Sequence, residues 1–496
     1  MNWKFEKVLD IIKKTDSSIF LKGKWGIERE TQRVTKSGYL ALTSHPVAFG
    51  NKLQNSEVTT DFSESQLELV TPPLSSVEEV YKYLEILTLK VNEELKNELL
   101  WPLSMPPRLP SEEIIPIAKF DDTPEGREKE IYRHGLATRY GKKMQMISGI
   151  HFNFSFTDEL FDVLYKYWGN GEGKYEFIDK AYFSMARNFL RYRWLLIYLF
   201  GASPSTDKTF NTVIQKELKT IRKCCPECCN PINNYKKYAT SLRVSRFGYS
   251  NGEQGKFTVS YNSKSEYLET IRKLMKTKSK KYSEIGMFKD GKQIQLSDNV
   301  LQKDSEFYSA IRLKQVTETG ESQLDALEKR GVGYAEVRII DVNPYERAGI
   351  SIEQMYFLQV FMLYCLFENS KNIKRKELNL MNKNHNLIAI SGRKNKLSLF
   401  RYTGGQVLLE DWGQYIFCKL FHIAKVMDDA ANSNKYMECV MNESVKLIDK
   451  TLLPSNKIIN DMKLKGDTFI TYGISKAMEH KNKNNTGEEL KNVEGL

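Results

Sequence analysis

Four segments of the chain alternate between apolar and polar residues, the pattern of a β-strand with one buried face and one chemically different face. In the clearest of them, residues 150–156, isoleucine and three phenylalanines alternate with His151, Asn153 and Ser155. The segments 25–34, 66–71 and 333–341 follow the same period. Because helix and strand signals alternate irregularly along the chain, the pattern predicts an α+β fold rather than a doubly wound parallel sheet.

The polar faces of these segments carry acidic residues, which strands normally avoid because a buried carboxylate without a partner is costly. With one histidine, and one aspartate just before a strand, the set is Glu28, Glu30, Asp61, Glu68, His151 and Glu336. Carboxylates on one sheet face repel one another unless cations neutralise them, and such oxygen ligands suit Mg²⁺, with Mn²⁺ also compatible. The alternative is a one-sided sheet whose glutamates pair with Lys or Arg in solvent. Polar faces of this kind on four strands favour the metal site.

Arg338 lies two residues after Glu336 and therefore shares its strand face. An arginine beside metal-binding carboxylates suits the stabilisation of negative charge on a phosphoryl group during transfer. The alternative for this pair is a plain Glu–Arg ion pair.

Three segments predict helices by the spacing of their apolar residues. Residues 76–99 carry an apolar stripe from Val77 to Leu99, and Ser75 with Glu78 fits a capping box at its start. Residues 176–200 and 353–368 also predict helices. The last of these is so rich in Met, Phe and Leu that we expect it in the core rather than at a binding surface.

Charge and composition narrow the classes of partner. The formal net charge of the 496-residue chain is +12, which suits nucleic acid, an anionic membrane or a small polyanion such as ATP. Its lysines are spread along the chain without a recognition module, so we expect no nucleic-acid partner. The most apolar segment, 194–202, is too short to span a bilayer, and the N-terminus does not resemble a secretory signal. With an odd count of seven cysteines, these features predict a cytoplasmic protein without a membrane partner.

Ten short motifs, in order over about residues 20–400, resemble those of bacterial glutamate–cysteine ligases of the gamma-proteobacterial type. The motifs are Trp25–Thr31, Thr59–Phe62, Leu67–Pro72, Trp101–Pro106, Tyr140–Gly141, Met144–Phe154, Tyr198–Pro204, Tyr238–Arg243, Asn299–Gln302 and Glu336–Arg338. Any one of them is a weak signal, but the ordered set is specific.

The resemblance implies a glutamine-synthetase-like fold, in which a strongly curved antiparallel sheet surrounded by helices cradles ATP, more than one Mg²⁺ ion and glutamate. It implies a ligase that joins the γ-carboxylate of L-glutamate to the amine of L-cysteine through γ-glutamyl phosphate, releasing ADP and phosphate. That reaction is the first step of glutathione biosynthesis.

The resemblance also implies roles for individual residues. The metal and phosphate shell would be Glu28, Glu30, Asp61, Glu68, His151 and Glu336, with Glu28 and Arg338 as the catalytic residues. The amino-acid pocket would contain Tyr132, Arg133, Gln145, Asn153, Arg243, Tyr249 and Tyr308. Arg338 would also contact the nucleotide. Arg393 could reach the nucleotide phosphates, although it fits a surface loop equally well.

Two features depart from the family pattern. The cluster Cys224, Cys225, Cys228 and Cys229 looks like half of a zinc site or a regulatory disulfide, but no second Cys or His pair follows, so a variable surface loop is favoured. The chain also leaves no room for the ATP-grasp domain appended in some relatives, so we expect the product to stop at γ-glutamylcysteine. We predict one catalytic domain over residues 1–478, with a monomer as the simplest assembly, and a disordered polar tail at 479–496.

Two other functions stay open at this point. A related ligase could use the same ATP chemistry with a different amine acceptor, because one pocket residue can alter acceptor choice. A non-catalytic, basic interaction protein could retain the same fold. We would expect such a module to lose part of the acidic set, and this chain keeps all of it.

Overall fold

The structure is a computed structural model that describes residues 4–224, 235–248 and 253–482. Its strands are β1 (Lys24–Thr35), β2 (Val58–Thr59), β3 (Gln66–Val70), β4 (Glu98–Leu100), β5 (Ile150–Ser155), β6 (Phe288–Lys289), β7 (Lys292–Gln293), β8 (Ile311–Lys314), β9 (Tyr334–Ile340), β10 (Ser398–Phe400) and β11 (Gln406–Leu408). The α-helices of the described residues are α1 (Phe5–Thr15), α2 (Val77–Glu94), α3 (Pro124–Tyr140), α4 (Asp158–Trp168), α5 (Lys174–Phe200), α6 (Asn211–Cys224), α7 (Tyr235–Tyr238), α8 (Lys264–Lys276), α9 (Lys280–Ile285), α10 (Gln323–Arg330), α11 (Ile352–Phe367), α12 (Arg375–Ser391), α13 (Leu409–Ala431), α14 (Lys435–Val445), α15 (Pro454–Lys465) and α16 (Phe469–Asn482).

A seven-stranded sheet lies at the centre of the fold. Six strands follow the order β2-β3-β1-β5-β9-β8, β4 pairs with the end of β1, and every pairing is antiparallel. Two small two-stranded sheets, β6–β7 and β10–β11, lie apart from it. The predicted α+β class is confirmed, and each of the four predicted strands is present with its ends within one residue of the predicted bounds.

The apolar face of the sheet packs against long helices. Helix α5 contacts β8 and β9, and α2 contacts β1 and β3. Phe152 and Phe154 are buried, and their rings lie 5.9 and 6.1 Å from the ring of Trp25. Helix α11, predicted to be core, is buried along almost its whole length against α5, α13 and α14. The alternating residues of β1, β5 and β9 therefore leave their charged side chains on the opposite face.

Helix α2 is shorter than predicted. It ends at Glu94, and residues 98–100 form β4, which pairs with Arg33, Val34 and Thr35 of β1. Leu95 and Leu99 are buried as the stripe predicted, but they reach the core from a turn and a strand. Apolar periodicity alone does not distinguish these cases when several elements face one core.

The capping box of α2 also lies one residue later than predicted. Ser76 caps the helix and accepts a hydrogen bond from the backbone N–H of Glu79 at 3.1 Å, and the Glu79 carboxylate accepts one from the N–H of Ser76 at 3.2 Å. The shift arises because Leu74 still exchanges two backbone hydrogen bonds with Trp25 and extends the preceding strand-like segment.

The C-terminal boundary at residue 479 is corrected as well. Helix α16 continues to Asn482, and His480 is buried, with its Nε2 donating to the carbonyl of Pro344 at 3.0 Å. Lys481 Nζ donates to the carbonyls of Leu95 and Glu98. These contacts hold the last helical turn against the body of the protein, so residues 479–482 are not part of a disordered tail. Residues 483–496 lie outside the described part of the chain.

No helix among the described residues is both long and apolar enough to cross a membrane.

Candidate active site

A cavity of about 360 Å³ opens on the charged face of the central sheet. The six side chains predicted as metal and phosphate ligands all line it: Glu28, Glu30, Asp61, Glu68, His151 and Glu336. Arg338 lines it too, together with residues of α3 and of the segment before β8. Residues from five strands, from α3 and from several connecting segments therefore meet in one place.

Antiparallel register brings the side chains of Glu28, His151 and Glu336 together. Glu28 on β1 lies opposite His151 on β5, and Asn153 on β5 lies opposite Glu336 on β9. Directly opposed side chains on one face are neighbours in an antiparallel pair. His151 Nδ1 lies 3.0 Å from Glu28 Oε2 and 3.4 Å from Glu336 Oε1. Asn153 Nδ2 donates to Glu28 Oε1 at 2.9 Å and fixes that carboxylate.

Basic side chains surround Glu336, which is only 1% exposed. Arg338 Nη1 donates to Glu336 Oε1, and Lys314 Nζ lies 3.6 Å from Oε2. Arg312 on β8 lies opposite Glu336 in the register. Burial alone would raise the pKa of Glu336, but the charges of Arg338 and Lys314 hold it far below its ordinary value. Glu336 is therefore a carboxylate rather than a carboxylic acid.

The other acidic residues repel one another. Glu30 on β1 lies directly opposite Glu68 on β3, and like charges in this arrangement are destabilising. Burial, followed by the charges of Glu28, Asp61 and Glu30, raises the pKa of Glu68 well above its ordinary value. Burial also raises the pKa of Glu30. Burial and the Glu336 charge would raise the pKa of Glu28, but the hydrogen bond and charge of His151, together with the charge of Lys314, lower it.

This donor set fits a divalent cation. Ligand atoms from Glu28, His151 and Glu336 all lie within 4.8 Å of one another. Glu336 Oε2 is buried without a hydrogen-bond partner, and a bound cation would give it one. Two carboxylates and one imidazole suit Mg²⁺ or Mn²⁺. The raised pKa of Glu68 indicates further negative charge that a cation would stabilise.

Arg133 and Arg243 also line the cavity. Arg133, on α3, donates to the carbonyls of Thr60 and Asp61 and lies over the Phe120 ring at 4.6 Å, so it fixes the loop that carries Asp61. Arg243 Nη2 donates to the Arg338 carbonyl at 2.9 Å. A Cβ at Gly149 would lie 1.8 Å from the same nitrogen, so only glycine lets the guanidinium occupy this position.

The remaining predicted residues separate into three groups. Tyr132, Gln145 and Tyr308 line the cavity beside Arg133 and Arg243. Asn153 does not line it and acts on Glu28 instead. Tyr249 lies outside the described residues, as do Cys225, Cys228 and Cys229 of the cysteine cluster.

Arg393 lies outside the cavity. It is buried, its Nε donates to the carbonyl of Ala239 at 2.9 Å, and its Nη1 donates to Asn456 Oδ1 at 2.9 Å. These contacts tie the turn that follows α12 to the segment before Ser241 and to α15. Since it does not line the cavity, we omit Arg393 from the candidate site.

Sequence reasoning missed five charged lining residues, which are Arg312, Lys314, Glu306, Lys129 and Lys303. A signal for the first two exists, because Ile311 and Leu313 alternate with Arg312 and Lys314 along β8. Glu306 lies in a short 3₁₀ turn, where no periodicity marks a functional face.

Glu306 anchors the wall of the cavity through a buried ion pair. Its carboxylate accepts hydrogen bonds from Arg139 Nη1 at 3.1 Å, from Tyr140 at 2.5 Å and from the N–H of Gln302 at 2.6 Å. The Arg139 and Glu306 side chains are 0% and 2% exposed. Removing one member of such a pair leaves the other charge buried and uncompensated.

We expect Glu306→Ala to lower the free energy of unfolding by about 3–5 kcal/mol. The matched control is Glu128→Ala, because Glu128 pairs with Lys303 at 2.6 Å with both side chains at least 41% exposed. That substitution should cost only about 0–1 kcal/mol. Chemical denaturation of the three proteins measures both values, and equal losses for the two variants would contradict the buried-pair interpretation.

Comparisons with known proteins point to one family. A family model described as glutamate-cysteine ligase matches residues 8–388. A glutamate–cysteine ligase of Clostridium acetobutylicum is 53% identical over 479 residues, which cover 96% of this chain and all of the relative. A glutamate–cysteine ligase of Pseudomonas putida is 38% identical over 92% of this chain and 85% of its own length. The Pseudomonas relative supports the gamma-proteobacterial type.

Two solved structures share the fold. A glutamate–cysteine ligase from Francisella tularensis, solved in complex with AMP, superposes with a TM-score of 0.84 at 32% identity over 94% of this chain and 90% of that one. A bifunctional glutathione synthetase from Pasteurella multocida superposes with a TM-score of 0.75 at 26% identity, and the chain matches 55% of that protein. With the family model matching most of its length, the chain belongs to the glutamate–cysteine ligase family.

Proposed function

We propose that the protein joins the γ-carboxylate of L-glutamate to the amine of L-cysteine at the expense of ATP, the first step of glutathione biosynthesis. The observation that carries the proposal is one cavity that places a cluster of carboxylates and a histidine against Arg338, Arg312 and Lys314. Such a site can bind a polyphosphate with its cations and also the carboxylates of an amino acid. The AMP complex of the Francisella relative supports use of an adenine nucleotide.

The reaction takes two steps in the proposed mechanism. A γ-carboxylate oxygen of glutamate attacks the γ-phosphorus of ATP, and ADP leaves, giving γ-glutamyl phosphate. The cysteine amine then attacks the acyl carbon, loses a proton, and inorganic phosphate leaves. The protein supplies no nucleophile, so its residues act by positioning the reactants and by stabilising charge.

We also propose that the cation of this site is Mg²⁺. Glu28, His151 and Glu336 would hold one ion, and Glu30, Asp61 and Glu68 would hold or orient others. When bound, it would neutralise phosphate charge and orient the phosphoryl group. Asn153 keeps the Glu28 carboxylate in place through its amide nitrogen.

Arg338 is suited to the transferring phosphoryl group. Its Nη1 is used by Glu336, while its Nε is buried without a hydrogen-bond partner. Guanidinium nitrogens left over from an ion pair can donate to phosphoryl oxygens. The substrate carboxylates would be bound by four other lining residues, Arg133, Gln145, Arg243 and Tyr308. Tyr132 would close the pocket.

An acceptor screen distinguishes the proposed activity from that of a related ligase that uses a different amine acceptor. We expect cysteine to stimulate ADP formation from ATP and glutamate far above every other proteinogenic amino acid. We also expect 2-aminobutyrate to be accepted, because it has nearly the shape of cysteine and keeps the attacking amine. Coupled detection of ADP measures each rate, with glutamate alone as the baseline. A different amine that clearly exceeds cysteine would establish the sibling ligase instead.

The proposal also covers the compartment and the oligomeric state in which the protein acts. We place it in the cytoplasm, since seven thiols suit a reducing compartment. One catalytic unit from residue 1 to the end of α16, acting as a monomer, would carry the reaction.

A further inference from the structure

A second cavity, of about 670 Å³, adjoins the catalytic cavity. Tyr140, Met144 and Tyr308 line both. We call it the basic cavity, because of the described residues that line it five are arginine or lysine and Glu217 alone is acidic. The basic residues are Arg139, Arg193, Lys216, Arg246 and Lys281. This surplus of positive charge is the opposite of the acidic cluster around Glu28.

Arg193 on α5 is the lining residue of the basic cavity that most needs a counter-charge. Its side chain is buried, at 7% exposure, and its Nη2 donates to Asn382 Oδ1 at 2.6 Å. Its Nε is buried without a hydrogen-bond partner, and it forms no ion pair with a carboxylate in the part of the chain that the structure describes. A buried guanidinium without a counter-charge is costly.

The electrostatic surroundings of Arg193 point the same way. Burial lowers its pKa to about 10, because the charged form is deprived of water. His385 Nε2 donates to the Val244 carbonyl at 2.7 Å, and burial with the charge of Arg193 lowers the His385 pKa to about 3. The imidazole is therefore neutral, and it supplies no negative charge beside Arg193.

The other charged groups leave little negative charge for Arg193. Arg139 is already paired with Glu306, and Glu217 lies 3.5 Å from Arg246. Burial, with the charges of Lys216 and Arg139 among others, lowers the pKa of Lys281 despite the opposing effect of Glu253. Several cations thus share one cavity with one carboxylate that is near another partner.

We propose that the basic cavity binds a small oxyanion, a carboxylate or a phosphate group, with Arg193 as its principal contact. An oxyanion would supply the acceptor that the Arg193 Nε lacks and the counter-charge that its guanidinium lacks. Lys216 and Lys281 would add longer-range attraction from the cavity mouth, where both are exposed. None of the acidic residues of the catalytic cluster lines the basic cavity, and the proposed anion is a ligand bound in addition to those held at that cluster.

Isothermal titration calorimetry tests the proposal in the absence of ATP, glutamate and cysteine. Inorganic phosphate and succinate are titrated separately into the full chain, with sodium chloride of matched ionic strength as the reference. We expect at least one of the two anions to bind, and Arg193→Gln to weaken that binding by about tenfold or more, because one charge-assisted contact is lost. Phosphate binding alone or succinate binding alone identifies the chemical class.

Two controls separate this site from the catalytic cavity and from general charge. Arg338→Gln removes a cation of the catalytic cavity and should leave binding within about twofold, and Arg401→Gln does the same on the exposed surface. Binding that is lost in Arg338→Gln and kept in Arg193→Gln would overturn the proposal, as would no binding of either anion to the wild type. None of these outcomes depends on ligase activity, which an ADP assay follows separately.

If Arg193→Gln does not fold, a second variant tests the same proposal. The double variant Lys216→Gln/Lys281→Gln changes exposed residues and should keep its far-UV circular dichroism. We expect it to weaken anion binding and to reduce the dependence of that binding on salt. Unchanged affinity in a folded double variant would count against the basic cavity as the binding site.

Discussion

Glu28→Gln should abolish turnover and leave the fold intact. Glu28 accepts hydrogen bonds from Asn153 at 2.9 Å and lies 3.0 Å from His151, at the centre of the proposed ligand set. Glutamine has nearly the same size but offers a neutral amide in place of a carboxylate, so a metal ligand and its charge are lost. We expect the rate of ADP formation to fall by more than about 10³-fold.

Stability should change little. Glu28 contributes to the repulsion that raises the pKa of Glu68, but its own lowered pKa shows that His151 and Lys314 stabilise its charge, so the two effects of removing that charge oppose each other. The melting temperature of Glu28→Gln without added metal should therefore stay close to that of the wild type. Glu269→Gln, an exposed change in α8, is the matched control for both measurements. A Glu28→Gln enzyme with a near-normal rate would rule out the metal-shell role.

The same electrostatics predict how Mg²⁺ affects stability. A cation that binds the folded state and not the unfolded chain raises the melting temperature. We expect that rise in the wild type and a much smaller one in Glu28→Gln, which gives a readout independent of turnover.

The acidic end of the site could be predicted from the sequence because it lies on strands. A period of two places Glu28 and Glu30 on one face of β1, and apolar neighbours define the other face. The register of the strands could not be predicted. That His151 lies opposite Glu28, and Asn153 opposite Glu336, depends on pairing between segments more than 100 residues apart in the chain.

The basic side of the site was harder to predict. Strand β8 has four residues, too few for alternation to stand out, and Arg312 and Lys314 resemble the many solvated basic residues of this chain. Glu306 depends on a buried partner, Arg139, which lies 167 residues away in the sequence. Long-range pairing of this kind leaves no local pattern.

Arg393 was predicted to contact nucleotide phosphates or to lie in a surface loop, and its buried contacts were not predicted. A Gly-Arg-Lys turn after an apolar helix suits a phosphate contact, but the guanidinium spans two segments of the fold through Ala239 and Asn456. A buried arginine that satisfies carbonyl and amide oxygens has the same local sequence as one that binds an anion. Arg193 lines the basic cavity, whereas Arg393 lines neither that cavity nor the catalytic one.

Arg338→Lys is expected to lower kcat by about 10²–10³-fold with a nearly unchanged melting temperature. Lysine retains the positive charge beside Glu336, so the buried carboxylate keeps a counter-charge. It loses the planar fork, and with it the Nε donor that has no partner in the protein. A phosphoryl group held by that fork would lose its contact while the fold keeps its ion pair.

Arg338→Ala is a less informative change. Glu336 is 1% exposed, and removal of Arg338 leaves its carboxylate with Lys314 at 3.6 Å. Breaking a buried pair by removing one partner typically costs about 3–5 kcal/mol, so lost activity could reflect lost stability.

The comparison of kcat with stability therefore decides the role of Arg338. Arg272→Lys is the control, because Arg272 pairs with Glu328 at 2.7 Å on the exposed surface and should affect neither quantity strongly. A single-turnover measurement of ADP formation, under saturating ATP and glutamate, isolates the phosphoryl-transfer step from product release. If Arg338→Lys keeps a normal kcat and loses only stability, Arg338 is a structural partner of Glu336. The phosphoryl group would then have to lie against another cation of the cavity, with Arg312 and Lys314 as the next residues to change.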